Sequence, residues 1–327
     1  MKYDLIIGLP ARNEEKTIYG ALESISEAIS GINNYKIVVC TNSCTDDTAG
    51  VVKEFINNHR DLNCVLIKSQ PGLVNAQRKI VDLFPAKIYV FPDADSKIEK
   101  DSIKALLNEL NKNNQTVVAY AKTVSLINRK KKLPLAERMG ILYDSQKLLS
   151  PRKYIHGRLF ATKDWSIPSN QELSKAANRN RSSREMLKYC KKGIFLSVDD
   201  IFLSSYIMDK YGLKAIKQVD SARCFAWSIA SFSDWLRVYR RRNVEMEKMK
   251  RWFPEYNYLW PHLNRRTNWR NWLKADWRDK MIWLMYLSMK GIFFCYLRFE
   301  FLMLKVGLYH PPVQWKAAQT TKKSIKS

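Results

Sequence analysis

The stretch Lys87-Ile88-Tyr89-Val90-Phe91-Pro92-Asp93-Ala94-Asp95 decides the fold class. Its short, continuous apolar run reads as a buried strand, and it ends in two carboxylates spaced i, i+2 where strand gives way to loop. In an open α/β sheet, ligands collect in the crevice beyond the carboxyl ends of the strands, so acids placed there can hold a divalent cation. Mg2+ or Mn2+ takes one or two protein carboxylates together with substrate phosphate oxygens, which is what such a pair offers. Alone, an Asp-x-Asp pair describes a solvated loop equally well.

The flanking sequence repeats the same unit. Leu5-Ile6-Ile7-Gly8-Leu9-Pro10 is a first apolar strand, followed by Ala11-Arg12-Asn13-Glu14-Glu15 and a helix whose Ile18, Ala21, Leu22 and Ile25 recur at helical spacing. Tyr35-Lys36-Ile37-Val38-Val39-Cys40 is a second strand, leading through Thr41-Asn42 to a helix carrying Val51, Val52, Phe55 and Ile56. Cys64-Val65-Leu66-Ile67 is a third, and Gln70-Pro71-Gly72-Leu73 turns into a helix with Asn75, Arg78 and Lys79. Alternating strands and helices predict an α/β class with a mostly parallel, open sheet and helices on both faces.

Taken in order, Pro10-Ala11-Arg12-Asn13-Glu14-Glu15, Asn42-Ser43-Cys44-Thr45-Asp46-Asp47-Thr48 and Asp93-Ala94-Asp95 resemble the motifs of the inverting family 2 glycosyltransferases, which have the GT-A fold. Related folds also host sugar nucleotidyltransferases, but those open on a glycine-rich basic loop, and no such loop stands near Pro10. The resemblance covers about the first hundred residues and implies a metal-dependent hexosyltransferase.

It also implies roles for single residues. Pro10, Ala11, Asn13, Glu14, Asn42, Arg78, Asp93 and Ala94 would bind the donor nucleotide, with Glu14 accepting from a ribose hydroxyl or the base and Arg78 facing the pyrophosphate. Asp95, with Asp93, would hold Mg2+ or Mn2+. Family members often carry Asp-Asp where Thr41-Asn42 stands here; Asn both donates and accepts, so a UDP-sugar is expected and a GDP-sugar stays open. Structural readings stand beside these: Glu14 and Glu15 suit a first helical turn, Ser43, Thr45 and Asp46 suit a turn and N-cap, and Arg78 suits a solvated helix face.

An inverting transfer needs a general base for the acceptor hydroxyl. The family places an acidic pair at a helix start downstream, and Phe195-Leu196-Ser197-Val198-Asp199-Asp200-Ile201-Phe202-Leu203 resembles it, with Asp-Asp replacing the usual Glu-Asp. Asp200 is taken as the base and Asp199 as its neighbour, although the pair equally suits an N-cap with a first-turn acid. Tyr154-Ile155-His156-Gly157-Arg158-Leu159-Phe160-Ala161 resembles the acceptor-side segment, making His156, Gly157 and Arg158 acceptor or phosphate candidates. Arg241 or Arg242 would take the part of a basic-aromatic motif that contributes Arg to the pyrophosphate. Asn178-Arg179-Asn180-Arg181-Ser182-Ser183-Arg184 reads as a basic loop that closes over phosphates or is simply solvated.

The chain has 327 residues, is 46% apolar and carries a formal net charge of +25, which excludes a wholly disordered chain and favours anionic partners. The expected division is a nucleotide-sugar half over 1–120, an acceptor-side half over 121–227, a helical, basic, Trp-rich extension over 228–315 and a flexible tail over 316–327. Trp252, Trp260, Trp269, Trp272, Trp277 and Trp283 lie among basic residues, and the apolar run from Met281 to Leu297 is broken by Lys290. That is too interrupted for a membrane span but suits an interfacial helix. Met281, Leu284, Met285 and Ser288 at helical spacing would equally serve packing on the catalytic domain or on a second subunit.

Six scattered cysteines without metal spacing, Cys40, Cys44, Cys64, Cys190, Cys224 and Cys295, point to a reduced compartment, and no signal peptide is expected. The expected place is cytoplasmic, peripheral on the inner membrane face, with a lipid-linked, glycan or other anionic acceptor in cell-envelope polysaccharide or glycolipid assembly. The competing class is a basic nucleic-acid-binding protein. No nucleic-acid motif appears, and acids at strand ends do nothing for such binding, so no nucleic-acid partner is expected. The oligomeric state is left open.

Overall fold

A computed structural model of the chain describes residues 3–127, 133–181, 184, 199–309 and 321–322. In chain order its elements are β1 (Tyr3–Ala11), α1 (Ile18–Ala28), β2 (Tyr35–Asn42), α2 (Thr48–Asn58), β3 (Cys64–Ser69), α3 (Leu73–Leu83), β4 (Ala86–Pro92), β5 (Ser96–Ile98), α4 (Ser102–Lys112), β6 (Val118–Leu126) and α5 (Leu135–Asp144). There follow β7 (Leu159–Thr162), α6 (Asn170–Ala177), α7 (Asp199–Tyr211), β8 (Ile216–Trp227), α8 (Phe232–Trp252), a 3-10 segment (Pro254–Leu259), α9 (Trp260–Leu263), α10 (Trp269–Lys274) and α11 (Trp277–Lys305).

β1 is buried on both faces. Ile6 packs to one side with Val38, Cys40 and Ile80, and Leu5, Ile7 and Leu9 pack to the other with Ile18, Leu22 and Val52. Helices covering both sides of a strand require this, and a continuous apolar run is how a sequence meets the requirement. The sheet order is β3-β2-β1-β4-β7-β6-β8-β5. β1 to β4 pair in parallel, as the alternating pattern predicts, whereas β7 runs antiparallel to both β4 and β6, and β8 runs parallel to β6 and antiparallel to β5. The sheet is therefore open and mixed, and β6 passes through the division expected at 120.

Two details set the edge of this sheet. A Cβ on Gly8 would lie 2.7 Å from a ring carbon of Phe91, so glycine lets the Phe91 ring of β4 lie over β1. Parallel pairing of Ile7 with Val90 then brings the carboxyl ends of β1 and β4 out at one rim.

The C-terminal helices pack on the sheet domain. Ala136, Met139 and Leu142 of α5 form a core with Trp235 of α8 and with Ile282, Trp283, Tyr286, Met289 and Phe293 of α11. Met281, Leu284 and Met285, which helical spacing offered as packing residues, instead stand on the outer face; Ile282 and Trp283 occupy the inner one. Ile292, Phe299 and Leu302 extend that exposed apolar face along α11. No helix among the described residues is long and apolar enough to cross a membrane. Phe195 to Val198, Ser182, Ser183, Cys190 and all of the expected tail except Thr321 and Lys322 lie outside the described residues.

Candidate active site

At the end of β1, Asn13 takes φ 55°, a left-handed conformation that Asn tolerates better than most residues. Its Oδ1 accepts from Thr45 N at 2.8 Å and its Nδ2 donates to Thr45 Oγ1 at 3.1 Å, lacing the loop after β1 to the loop after β2. Glu14 N donates to Thr48 Oγ1 at 2.8 Å and Glu15 N to Asp46 Oδ2 at 3.1 Å, extending the lacing. Much of the Ser43 to Thr48 segment thus holds loops in place. Asp47, rather than Ser43, Thr45 or Asp46, caps α2 by accepting from Gly50 N. Asn42 is buried and donates to Ala11 O at 3.2 Å.

These loops border a cavity of about 1390 Å³, which Pro10, Asn13, Glu14, Asn42, Asp93, Ala94 and Asp95 line on one side. Ala11 is buried behind it, and Arg78 points elsewhere, donating to Ile167 O with its guanidinium 5.7 Å from the centroid of Trp165. The pyrophosphate role expected of Arg78 therefore lacks a side chain lining the cavity. Its neighbour Gln77 lines it instead.

The acids crowd together. Burial raises the Asp93 carboxyl well above the usual range, and Asp95, Asp199 and Glu14 push it further against the opposing field of Arg158. Glu14 is pushed up to about 7, first by burial and then by Asp95, with Lys322 opposing. Asp93 N donates to Arg158 O at 2.8 Å, and Arg158 Nη1 lies 3.8 Å from Asp95 Oδ1.

Carboxyls that hold protons this firmly are short of positive charge, and oxygen donors of this kind suit Mg2+ or Mn2+. Among the described residues no three His, Cys, Asp or Glu side chains form a complete metal cage. A cation here would draw its remaining ligands from substrate or water, as Mg2+ commonly does.

Asp199 and Asp200 open α7 and line the same cavity. Asp199 Oδ2 accepts from Gln77 Nε2 at 2.7 Å, tying α7 to α3. Burial and the charge of Asp200 raise the Asp199 carboxyl. Burial also raises Asp200, and Arg242, Arg152 and Arg241 oppose this without cancelling it. Gly157 borders Asp200: a Cβ there would lie 3.8 Å from Asp200 Oδ2, so the missing side chain leaves room beside that oxygen. His156 lines the cavity with Nδ1 3.3 Å from Thr123 Oγ1, and Arg158, Arg241 and Arg242 also line it.

Sequence reasoning passed over Gln77, Arg152, Arg265, Lys290 and Lys322, all of which line the cavity. Gln77 had a signal, since it falls on the buried stripe Val74, Gln77, Ile80 of α3, where a polar residue must be answering something. Lys290 falls in the same way on the inward side of α11, between Tyr286 and Phe293. Arg152, Arg265 and Lys322 carry no local pattern and arrive through tertiary structure alone.

Residues 6–166 match the family described as Glycosyl transferase family 2. Over 197 residues the chain is 25% identical to chondroitin synthase of Escherichia coli, in an alignment covering 60% of this chain and 28% of that protein. A mannosyltransferase of Pyrobaculum calidifontis, solved in complex with GDP-Man and Mn2+, superposes with a TM-score of 0.51 at 16% identity. That match covers 77% of this chain and 65% of the other, and the likeness is one of fold. A glucosyl-3-phosphoglycerate synthase of Mycobacterium tuberculosis, in complex with phosphoglyceric acid, gives 0.42 at 20% identity over 70% of this chain and 72% of that one. The chain thus spans less than a third of the chondroitin synthase and under two thirds of the mannosyltransferase.

Proposed function

The chain belongs to the family 2 glycosyltransferases and has the GT-A fold, and we propose that it moves a sugar, with inversion, from a nucleotide-sugar donor to a hydroxyl of a lipid-linked, glycan or other anionic acceptor. The observation that carries this reading is the convergence of two acid groups on one cavity: Glu14, Asp93 and Asp95 at the sheet rim, Asp199 and Asp200 at the start of α7, with the Asp199 charge felt at Asp93. A UDP- or GDP-sugar would lie on the rim, its nucleoside against Pro10, Asn13, Glu14, Asn42 and Ala94.

Asp95, with Asp93, would hold Mg2+ or Mn2+; when bound, the ion would neutralise charge developing on the departing nucleoside diphosphate. Asp200 is the proposed base. The side chain missing from Gly157 leaves about a methyl group's room beside Asp200 Oδ2, while Asp200 Oδ1 accepts from Ile201 N. Asp199, by contrast, is engaged by Gln77 and serves to hold the pair in place. Burial raises the Asp200 carboxyl, and the raised pKa makes its carboxylate a stronger base than an exposed one. Arg158, 3.8 Å from Asp95, would limit repulsion between the rim acids before the ion arrives.

The proposed setting is the cytoplasmic face of a membrane. Support comes from the outer face of α11, where Met281, Leu284, Ile292, Phe299 and Leu302 are exposed, and from exposed Trp269, Trp277, Arg298 and Lys305 nearby. Apolar and aromatic groups beside cations suit a headgroup layer, where each cation contributes about 1 kcal/mol near an anionic surface.

Release of nucleoside diphosphate from a panel of UDP- and GDP-sugars, with and without Mg2+ or Mn2+, tests the activity. Metal-dependent release from one donor is expected. No release from any donor, together with no binding of UDP or GDP, would overturn the reading.

A further inference from the structure

Four cationic side chains from four separate segments line the part of the cavity contributed by the C-terminal helices. Arg152 comes from the loop before β7, Arg242 from α8, Arg265 from the loop after α9 and Lys290 from α11. Arg265 donates through Nε to Ser150 O at 2.8 Å, but its Nη1 and Nη2 are buried with no hydrogen-bond partner among the described residues. Arg152 Nε is likewise buried and unpartnered. Tyr154 stands between two of the four, its ring centroid 5.2 Å from the Arg152 guanidinium and 5.9 Å from that of Arg242. Arg242 also donates to Tyr154 Oη at 3.2 Å, and Lys290 Nζ lies 5.7 Å from the Tyr286 ring centroid.

Aromatic faces moderate these charges without cancelling them. Burial and the charge of Arg152 make Arg265 easier to deprotonate than usual, and burial and Arg242 do the same to Lys290. Buried donors without acceptors are rare in proteins, and like charges held together in a cavity repel. Both features are removed at once by an anion. Three guanidinium forks and an ammonium carry more charge than a single carboxylate would neutralise, and their donors match the oxygens of phosphate.

Resting on the transferase reading, we propose that Arg152, Arg242, Arg265 and Lys290 form the subsite for a phosphate or diphosphate ester group of the acceptor. The ester presents its hydroxyl to Asp200. The hydroxyl oxygen bonds to the anomeric carbon as the bond from that carbon to the donor's β-phosphate oxygen breaks. The hydroxyl proton passes to Asp200, and the nucleoside diphosphate leaves with the electron pair.

Inorganic pyrophosphate, titrated calorimetrically into the full chain in EDTA so that no metal bridges it to the rim acids, is the probe. Wild type is expected to bind it, and the double variant Arg152→Gln/Arg265→Gln to bind about tenfold more weakly or worse, as fits the loss of two charge-assisted donor groups. The unliganded variant is expected to melt no lower than wild type, because it loses a repulsive pair. Arg265→Lys, which keeps the charge but not the fork, is expected to fall between the two. Mn2+-dependent binding of UDP or GDP is expected to be unchanged in all three proteins.

No pyrophosphate binding by wild type, equal binding by the double variant, or a lower melting temperature for that variant overturns the subsite. Absence of Mn2+-dependent nucleotide binding in wild type overturns the transferase reading instead. Geranyl diphosphate binding more tightly than pyrophosphate marks a lipid-borne ester, and equal binding marks a free one; either supports the proposal. Glutarate binding as tightly as pyrophosphate would overturn the assignment to phosphate.

Discussion

Lys322 Nζ lies 2.5 Å from Glu14 Oε1, joining residues 308 positions apart. The same ammonium donates to the carbonyls of Arg12 at 2.8 Å and Asn13 at 2.9 Å, so it occupies the stretch proposed to face the donor nucleoside. A donor that uses Glu14 must displace it. Lys322→Ala is therefore expected to tighten binding of UDP or GDP in the presence of Mn2+ by about tenfold, a conservative share of the ~1.5–3 kcal/mol typical of a hydrogen bond to a charged group. Calorimetric titration checks this; weaker binding by the variant would make Lys322 a nucleotide ligand.

Asp95 raises the cost of ionising both Glu14 and Asp93. Removing its charge should relieve the unliganded fold while depriving a cation of its proposed ligand. For Asp95→Asn we expect turnover to fall at least about 100-fold, in line with the loss of charge stabilisation in the transition state, and the melting temperature without metal to hold or rise. A paired assay of turnover and thermal unfolding measures both. A clear loss of stability would recast Asp95 as a structural partner of Arg158.

The acids of α7 should separate by kinetics. Asp200→Asn is expected to lose about 10²- to 10⁴-fold in kcat, the usual range for a general base, with KM for the donor little changed. Asp199→Asn keeps an oxygen able to accept from Gln77, so a smaller loss is expected. Steady-state kinetics on both variants decide the assignment, and an unimpaired Asp200→Asn enzyme would reject it.

Stability should fall as pH rises through the neutral range. The Glu14 carboxyl goes from an ordinary 4.5 to about 7 in the folded chain, so between these values the folded state holds a proton that the unfolded state has released. Its contribution is fully present below the lower value and is lost as pH climbs through the upper one. Asp93 and Asp199 are raised by burial too and add in the same direction. Glu14→Gln is expected to flatten this slope. Mn2+ must displace such protons, so its stabilising effect is expected to be larger at about pH 8 than at about pH 6. Calorimetric melts across that range provide the measurement.

The two faces of α11 should respond differently to substitution. Trp283 is 1% exposed and donates to Thr267 Oγ1, so Trp283→Ala is expected to cost about 3–5 kcal/mol of stability. Ile292 is 68% exposed and Phe299 59%. Ile292→Glu and Phe299→Glu are expected to leave the fold intact and to weaken co-sedimentation with anionic lipid vesicles. Vesicle binding that matches wild type would remove the membrane proposal without touching the chemistry.

The front of the chain was legible because its pattern is local. Strands β1 to β4 are apolar runs, their acids sit at strand ends, and the Asp93-Ala94-Asp95 segment could be placed on the rim from sequence alone. Arg78 shows where local reading stops: on a helix, neighbouring residues point about 100° apart, and only packing decides which one faces a cavity. The buried neighbour, Gln77, was the better clue because a polar group on an apolar stripe needs a partner. β7 was equally hidden, since its antiparallel seat between β4 and β6 depends on partners distant in sequence. The inner and outer faces of α11 could not be told apart because both are apolar, and packing against α5 and α8 determines which is covered.

Every acid proposed for the chemistry precedes Trp227, whereas three of the four cations of the proposed acceptor subsite, Arg242, Arg265 and Lys290, follow it and Arg152 alone does not. Donor activation would then reside in the earlier stretch of the gene and most of acceptor choice in the later one. Drift in the later stretch could retarget the enzyme to a new recipient without disturbing its reactive centre, and swapping that stretch between relatives offers a route to engineered specificity.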